Sequence, residues 1–143
     1  VPTFFKAAKL ELPWKMHGRD LTPLLKNPED KSWKSPLLLA HTGMSFGEDC
    51  DEVIDMKDDP IYQKQEVPWW VFLRTDQYKY IRNLLPGETE ELYDMKNDPE
   101  ELVNLAENKK TLPLVRKLRA RTIQELEKTN CKFAGKMPPV LTP

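Results

Sequence analysis

A two-residue connection between two strand-like segments is the feature that most constrains the fold of this chain. Residues 69–75 and 78–82 are rich in aromatic and β-branched side chains, and only Asp76 and Gln77 separate them. Strands joined by two residues pair as an antiparallel hairpin, because parallel strands need a crossover of a dozen residues or more. The sequence therefore predicts an antiparallel sheet, in which successive side chains point to opposite faces.

Two further strands extend the predicted sheet. Residues 36–41 are predicted as a strand, and their apolar run 36–40 is typical of a central strand that is covered on both faces. Residues 91–95 follow a turn at Pro86 and Gly87 and return as a fourth strand. The sheet is therefore predicted to have four strands.

A long amphipathic helix follows the strands. Residues 111–128 repeat apolar side chains at the helical period and place most charged side chains elsewhere on the helix. Strands first and one long helix later predict an α+β fold. In this fold the four-stranded antiparallel sheet carries the long C-terminal helix, packed on one face.

The predicted organisation has three parts within 143 residues. Residues 36–128 hold the antiparallel sheet and the long helix. Residues 1–30 are interpreted as the end of a larger domain and a connector, and residues 129–143 as a proline-rich extended tail. The start at Val1, without an initiator methionine, favours a piece of a larger protein.

Residues 91–106 are interpreted as a short strand, a turn and a capped helix start. Asp98 is a residue type favoured at the helix N-cap, and Pro99 suits the first helical position. Glu101 lies three residues after the cap, where its carboxylate can reach back to the cap N–H. These residues therefore predict a helix that begins at Asp98.

Three passages of the chain resemble the sulfatase family, in the family's own order. Residues 1–25 resemble the passage P-T-(helix)-G-R-S/D-L-x-P-L-L, and residues 73–81 resemble the hairpin R-T-D-x-Y-K-Y-I. Residues 91–106 resemble the closing signature E-L-Y-D-x-x-x-D-P-x-E-x-x-N-L-A. The family has a large α/β domain followed by a smaller part with a four-stranded antiparallel sheet and a long helix. The resemblance implies the C-terminal subdomain of a larger α/β enzyme that hydrolyses sulfuric esters.

The resemblance also implies where the chemistry of the parent enzyme resides. Such enzymes use Ca²⁺ and a formylglycine made from Cys or Ser in C/S-x-P-x-R, and neither Cys50 nor Cys131 begins that motif. We therefore expect no catalytic residue and no cofactor in this chain, which should be inactive alone. Its expected partner is the missing N-terminal catalytic domain, with a sulfate ester touching only its loops. The parent is expected to be exported to the periplasm or the cell exterior.

Three side chains are candidates for the rim of a substrate site. His41 ends the first strand and precedes a loop, a common place for binding groups. His17 precedes the Gly18 turn, and Trp69 could stack on a sugar ring. A structural histidine, a structural turn and core packing are the respective alternative interpretations.

Charge and residue spacing argue against several other kinds of partner. The net charge is −1 and no apolar run approaches 20 residues, so neither nucleic acid nor a membrane is expected as a partner. Residues 43–67 are acidic and irregular in pattern, and Asp49, Asp51 and Asp55 could offer oxygens to calcium. They lack the spacing of an EF-hand, so a solvated loop is favoured and no metal site is predicted. Whether Cys50 and Cys131 are bridged stays open.

Two alternative functions remain compatible with the sequence. One is the same subdomain in a related hydrolase that acts on phosphate or phosphonate esters. The other is a free-standing interaction module that uses the acidic segment and exposed aromatic side chains. The substrate, the source organism and the oligomeric state are not determined by the sequence.

Overall fold

The computed structural model of the chain describes residues 1–30 and 36–141, and the chain divides into two compact units after Ser35. In the first unit, helix α1 spans Pro2–Ala7 and helix α2 spans Thr22–Lys26. Both begin with proline in the first turn, where its missing N–H costs no hydrogen bond. The predicted assignment of residues 1–30 to a larger domain stays a prediction.

The second unit contains the predicted four-stranded antiparallel sheet. Its strands are β1 (Leu37–His41), β2 (Trp70–Arg74), β3 (Tyr78–Asn83) and β4 (Glu91–Asp94), and they pair in sequence order. All three pairings are antiparallel. The sheet is therefore a simple meander, and the two-residue hairpin between β2 and β3 lies at its centre.

Strand β1 differs from its prediction because, among the described residues, it lies at the edge of the sheet and pairs with β2 alone. Leu37 is 56% exposed and Leu39 is 42% exposed, so one face of this apolar strand is open. An uninterrupted apolar run indicates that both faces can be buried, but it does not say what buries them. The prediction of a central strand was wrong for this reason.

The long helix α4 spans Leu112–Glu127 and packs on one face of the sheet, as predicted. Its Val115 and Leu118 share a buried cluster with side chains of β2, β3 and β4. About two turns after Leu118, Leu126 joins a second cluster. The cluster partners from or next to the strands are Leu73, Tyr80 and Leu92 in the first and Trp69, Val71 and Leu84 in the second.

Short helices occupy two segments that the sequence pattern had left without helix. Residues 43–67 contain 3₁₀ helices at Gly47–Cys50 and Met56–Asp58, followed by helix α3 at Pro60–Gln65. The tail predicted as extended forms a 3₁₀ helix at Lys132–Lys136, where Phe133 and Ala134 are buried. Its last two residues, 142 and 143, lie outside the described residues. Contact with the core orders both segments, and local sequence does not reveal that contact.

Residues 98–104 form turns and a loop instead of the predicted helix start. Glu101 has a φ of +59° and its carboxylate lies 2.7 Å from Lys79 Nζ, so it does not reach back to a cap. The side chain of Asp98 accepts hydrogen bonds from the N–H groups of Leu102 and Val103, four and five residues later. An N-cap instead binds the N–H two or three residues later.

Asparagine and aspartate side chains explain why this passage keeps its shape without a helix. Asn104 Oδ1 accepts from the N–H of Leu92 at 3.0 Å and from that of Ala106 at 2.9 Å. Its amide Nδ2 donates to the carbonyl of Glu90 at 3.2 Å. Asn104 thus fastens the loop to β4, and the chain reaches α4 only at Leu112.

Gly43 is expected to resist substitution. Its φ is +58°, and an added Cβ would lie 3.2 Å and 3.3 Å from the Asp59 carboxylate oxygens and 3.4 Å from Trp69 Nε1. We expect Gly43→Ala to lower the free energy of unfolding by about 2 kcal/mol, through backbone strain and crowding together. Gly87→Ala, at φ +83° but in open space, should cost about 1 kcal/mol. Urea unfolding measures both, and equal losses would show that the crowding has no effect.

Candidate functional site

The sheet face opposite α4, here called the outer face, is the most distinctive surface of the second unit. Residues directly opposite each other in antiparallel strands share a face, so the strand register identifies its members. They are Leu37, Leu39, His41, Trp70, Phe72, Arg74, Lys79, Ile81, Asn83, Glu91 and Tyr93. None of these side chains is buried, whereas their sequence neighbours Val71, Leu73 and Tyr80 are fully buried on the α4 side.

Three rings form a stacked row on the outer face, here called the aromatic row. His41 lies opposite Trp70, with ring centroids 5.4 Å apart and planes at 22°. Trp70 and Phe72 are two residues apart on β2 and stack at 5.7 Å and 10°. Lys79 Nζ lies 5.6 Å from the centroid of Phe72, within the range of a cation–π contact. The row presents flat aromatic surface beside the apolar side chains of β1.

The outer face is apolar on one side and polar on the other. Lys79 Nζ lies 2.7 Å from Glu101, and Tyr93 donates its hydroxyl to Glu91 at 2.7 Å. Burial, and then the hydrogen bond to Glu91, raise the pKa of Tyr93 to about 12. The polar groups near β4 are thus already paired with one another. The apolar side near β1 and β2 instead offers surface that another part of a protein can cover.

His41 is the one predicted rim residue that lies on the outer face. Its Nε2 is buried and has no hydrogen-bond partner among the described residues. A neutral imidazole nitrogen can donate or accept, and leaving it unpaired is costly. A group placed over the aromatic row could supply the missing partner. Its role at a substrate rim stays a prediction.

Trp69 lies on the core side of the second unit, where its side chain is 2% exposed. Its ring packs edge-on against Phe133, with centroids 6.0 Å apart and planes at 60°. This placement matches the core-packing alternative for Trp69, and it does not bring Trp69 together with His41. The neighbouring Trp70 presents the accessible ring, because adjacent strand residues face opposite ways.

His17 belongs to the first unit, where it is exposed in a bend before Gly18. The polar contacts of this unit centre on Asp20. The Asp20 carboxylate accepts from the Thr22 N–H at 2.9 Å and hydroxyl at 2.6 Å, and it pairs with Lys6 Nζ at 2.8 Å. The hydrogen bond from Lys6, followed by those from Thr22, lowers the pKa of Asp20 to about 2.

Acid should remove the stability that the Asp20 carboxylate contributes through Lys6 and Thr22. The pKa of Asp20 is lowered from 3.8 to about 2 in the fold. Its contribution to stability is therefore complete above about pH 4 and is lost as the pH falls towards 2. We expect Lys6→Ala to raise the pKa of Asp20 towards 3.8, with Lys15→Ala as the control that leaves it unchanged. An NMR titration of the Asp20 carboxyl carbon measures the shift, and an unchanged pKa in Lys6→Ala would contradict the assignment.

The carboxylates of the acidic segment 43–67 bind different partners and do not converge on one point. Asp51 pairs with Lys132, Asp55 accepts from the Lys57 N–H, and Asp59 caps α3 through the N–H groups of Ile61 and Tyr62. Residues 1–30 and 36–141 contain no cluster of three or more His, Cys, Asp or Glu side chains that could hold a metal ion. Calcium prefers six to eight oxygen ligands, so these carboxylates do not fit it as placed.

A buried ion pair is the polar feature that sequence reasoning missed. Glu90 is fully buried, and Arg119 donates to it from Nε at 2.6 Å and from Nη2 at 2.5 Å. Tyr80 donates its hydroxyl to the same carboxylate. Glu90 lies between Glu88 and Glu91, and nothing in the sequence distinguishes it from these two glutamates, which are not buried. The pair connects β3, the turn before β4, and α4, and its role is structural.

The helices of the described residues do not include one that is long and apolar enough to cross a membrane.

Comparison with known protein families found a match for much of the second unit. Residues 61–129 match the family described as N-sulphoglucosamine sulphohydrolase, C-terminal. These residues include β2, β3, β4 and α4. No curated protein matches the chain at a significant level.

Solved structures of larger enzymes share the fold of this chain. BT1596, a 2-O GAG sulfatase, is 25% identical with a TM-score of 0.62, and the match covers 90% of this chain and 24% of that one. BT4656, solved with its substrate D-glucosamine-2-N,6-O-disulfate, is 22% identical with a TM-score of 0.62, covering 89% and 23%. The phosphonate monoester hydrolase of Agrobacterium radiobacter is 20% identical with a TM-score of 0.58, covering 90% and 24%.

The chain spans about a quarter of the length of these solved structures. The family match is to a C-terminal region. The matched residues hold strands β2, β3 and β4 of the sheet and the long helix α4. Residues 61–129 match the C-terminal family of the sulfatases, and the chain has the fold of the C-terminal part of a sulfatase, in the alkaline-phosphatase-like superfamily.

Proposed function

We propose that this chain acts as the non-catalytic C-terminal part of a sulfuric ester hydrolase, in which it completes the fold of a catalytic domain and forms part of the rim of the substrate cleft. The family match and the similarity to a 2-O GAG sulfatase support this proposal. In it, Ca²⁺ and the formylglycine belong to the catalytic domain, and this chain supplies no ligand to either. Export of the parent to the periplasm or cell exterior is part of the same proposal.

The outer face is the observation that carries the proposal. Its apolar side chains Leu37 and Leu39 are 56% and 42% exposed, and they lie beside the aromatic row. Apolar side chains on a regular sheet face lower the free energy when another surface covers them, by about 25 cal/mol per Å² of apolar area. A catalytic domain seated on this half of the face would bury them and could pair with His41. The rim role then falls to the loop that follows β1.

The coding sequence upstream of Val1 is the direct test of the parent's class. We expect a Cys or Ser followed by x-Pro-x-Arg in the same reading frame. The chain alone should hydrolyse no aryl sulfate, whereas the chain joined to that upstream region should. Turnover by the chain alone that disappears in Cys50→Ala would contradict the proposal.

Association with the catalytic domain tests the role of the outer face. When the upstream region and this chain are coexpressed, we expect Phe72→Glu to abolish copurification, because it places a charge in the apolar half of the face. Lys117→Glu, an exposed position on α4, is the matched control and should copurify normally. Circular dichroism of both variants checks that the fold is retained. Normal copurification of a folded Phe72→Glu chain would assign the contact to another surface.

The second candidate is the same C-terminal role in a phosphonate or phosphate ester hydrolase. The fold shared with the phosphonate monoester hydrolase of Agrobacterium radiobacter is the observation that favours it. The two candidates differ in what the assembled enzyme cleaves. Parallel assays with an aryl sulfate and an aryl phosphonate distinguish them, since the better substrate by kcat/KM identifies the parent's chemistry.

A further inference from the structure

The two cysteines lie on the same part of the core although 81 positions separate them. Cys50 ends the 3₁₀ helix Gly47–Cys50, and Cys131 precedes the 3₁₀ helix Lys132–Lys136. Both pack against the buried cluster that includes Trp69 and Phe133, and both line one surface pocket. Both are partly buried, and both are free thiols in this structure.

Two ion pairs align the segments that carry the cysteines. The residues immediately after the cysteines face each other, with Lys132 Nζ 2.5 Å from Asp51 Oδ2. The next residue, Glu52, pairs with a lysine one helical turn after Lys132, because Lys136 Nζ lies 2.7 Å from Glu52 Oε1. Both ion pairs join residues directly after Cys50 to the 3₁₀ helix that follows Cys131. The ion pairs and the shared buried cluster therefore bring the two cysteines together without a bond between the thiols.

The electrostatics of Cys131 agree with this proximity. Burial raises the pKa of the Cys131 thiol, and the nearby Cys50 raises it further. Hydrogen bonding from the backbone N–H groups of Phe133 and Ala134 acts in the opposite direction. A thiol affected by the charge of another thiol lies within about 10 Å of it, the range over which charges interact before salt screens them.

We propose that Cys50 and Cys131 form a disulfide bond that fastens the segment after β1 to the segment after α4. The oxidant is a small disulfide such as glutathione disulfide. One protein thiolate attacks it, forming a mixed disulfide and releasing one glutathione thiolate. The second protein thiolate then displaces the other glutathione, so two protein thiols lose two electrons and two protons, and one S–S bond replaces another.

The bond would enclose most of the second unit. All of β2, β3, β4 and α4 lie between the two cysteines in sequence. Closing a loop of this length restricts the unfolded chain strongly while the folded chain already holds its ends together. We expect oxidation to raise the Tm of the 143-residue chain by about 5–15 °C.

The experiment incubates the whole chain with glutathione disulfide, in native buffer and in concentrated urea, and then alkylates the remaining thiols. We expect a monomer that has lost two hydrogen atoms and takes up no alkylating agent, and a cross-linked peptide pair containing Cys50 and Cys131. Formation should be at least about tenfold faster in native buffer than in urea, because the fold holds the thiols close. Reduction should return the Tm to its original value.

Single variants supply the control. In Cys50→Ser and in Cys131→Ser, the remaining cysteine should form only a mixed disulfide with glutathione, and the rise in Tm should disappear. The proposal is overturned if both thiols of the native chain stay alkylatable, if only mixed disulfides or intermolecular dimers form, or if urea accelerates closure. Each outcome is read from mass spectrometry of the unmodified sequence, so the proposal does not depend on a variant that folds.

Discussion

Arg119→Ala is expected to lower the free energy of unfolding by about 3–5 kcal/mol. The substitution leaves Glu90 fully buried and without the two hydrogen bonds, at 2.6 Å and 2.5 Å, that Arg119 donates to it. A buried carboxylate that loses its charged hydrogen-bond donor keeps much of the cost of its lost hydration, although the Tyr80 hydroxyl still donates to it. This large loss would come from one surface-accessible arginine, which is only partly buried itself.

Tyr80 does not substitute for Arg119 in this cluster. Its hydroxyl already donates to Glu90, and burial, followed by the hydrogen bond to Glu90, raises the pKa of Tyr80. The phenol therefore stays protonated at neutral pH and can offer only the one hydrogen bond that it already makes. The guanidinium of Arg119 brings a positive charge into hydrogen-bond contact with Glu90, and the neutral phenol of Tyr80 does not supply that charge.

Arg121 provides the matched control on the same helix. Arg121 Nε lies 2.6 Å from Glu125 Oε1, but the arginine side chain is 48% exposed. Exposed pairs four residues apart contribute about 0.5 kcal/mol or less. Urea unfolding followed by tryptophan fluorescence should therefore separate Arg119→Ala from Arg121→Ala by several kcal/mol. Similar losses would mean that water reaches Glu90 in solution.

Leu73→Ala is expected to lower the free energy of unfolding by about 3 kcal/mol. Leu73 is fully buried, and its cluster includes Tyr80, Leu92 and Val115. Removing its side chain leaves a cavity between the sheet and α4, and both are held by neighbours that limit collapse. The same urea unfolding experiment measures the loss.

Leu39→Ala is the control on the other face of the sheet. Leu39 lies opposite Phe72 on the outer face and is 42% exposed. Leu39→Ala should lower the free energy of unfolding of the chain alone by less than about 1 kcal/mol. The reason is that folding removes only part of the Leu39 side chain from water. Equal losses for Leu73→Ala and Leu39→Ala would mean that the outer face is covered within the chain itself. That result would remove the main support for a catalytic domain seated there.

The strands and the long helix could be predicted because local periodicity determines them. Alternation along residues 78–82 and the stripe on residues 111–128 are properties of adjacent residues, and the structure has β3 and α4 at those places. The two-residue connection 76–77 likewise determined the antiparallel pairing of β2 and β3. The resemblance to sulfatases came from passages of the same local kind, and the family match agrees with it.

Other predictions failed where the outcome depended on distant residues. The apolar composition of residues 36–41 indicated burial on both faces, yet β1 is an edge strand with one open face. Asp98 and Pro99 have the residue types of a helix start, but Glu101 pairs with Lys79 of β3 and the helix does not form there. For β1, the described residues provide no cover for its outer face. At Asp98, the contact between Glu101 and Lys79 outweighs a capping preference worth about 1 kcal/mol.

By itself the sequence determined the four strands, the long helix and the family that residues 61–129 match. Only the tertiary structure decided that Glu90 meets Arg119, 29 residues later, and that Cys50 lies near Cys131. The physical reason is that local patterns act through neighbouring dihedral angles and side-chain period. Contacts between distant residues depend instead on how the whole sheet and α4 are placed, and no single passage of sequence contains that placement.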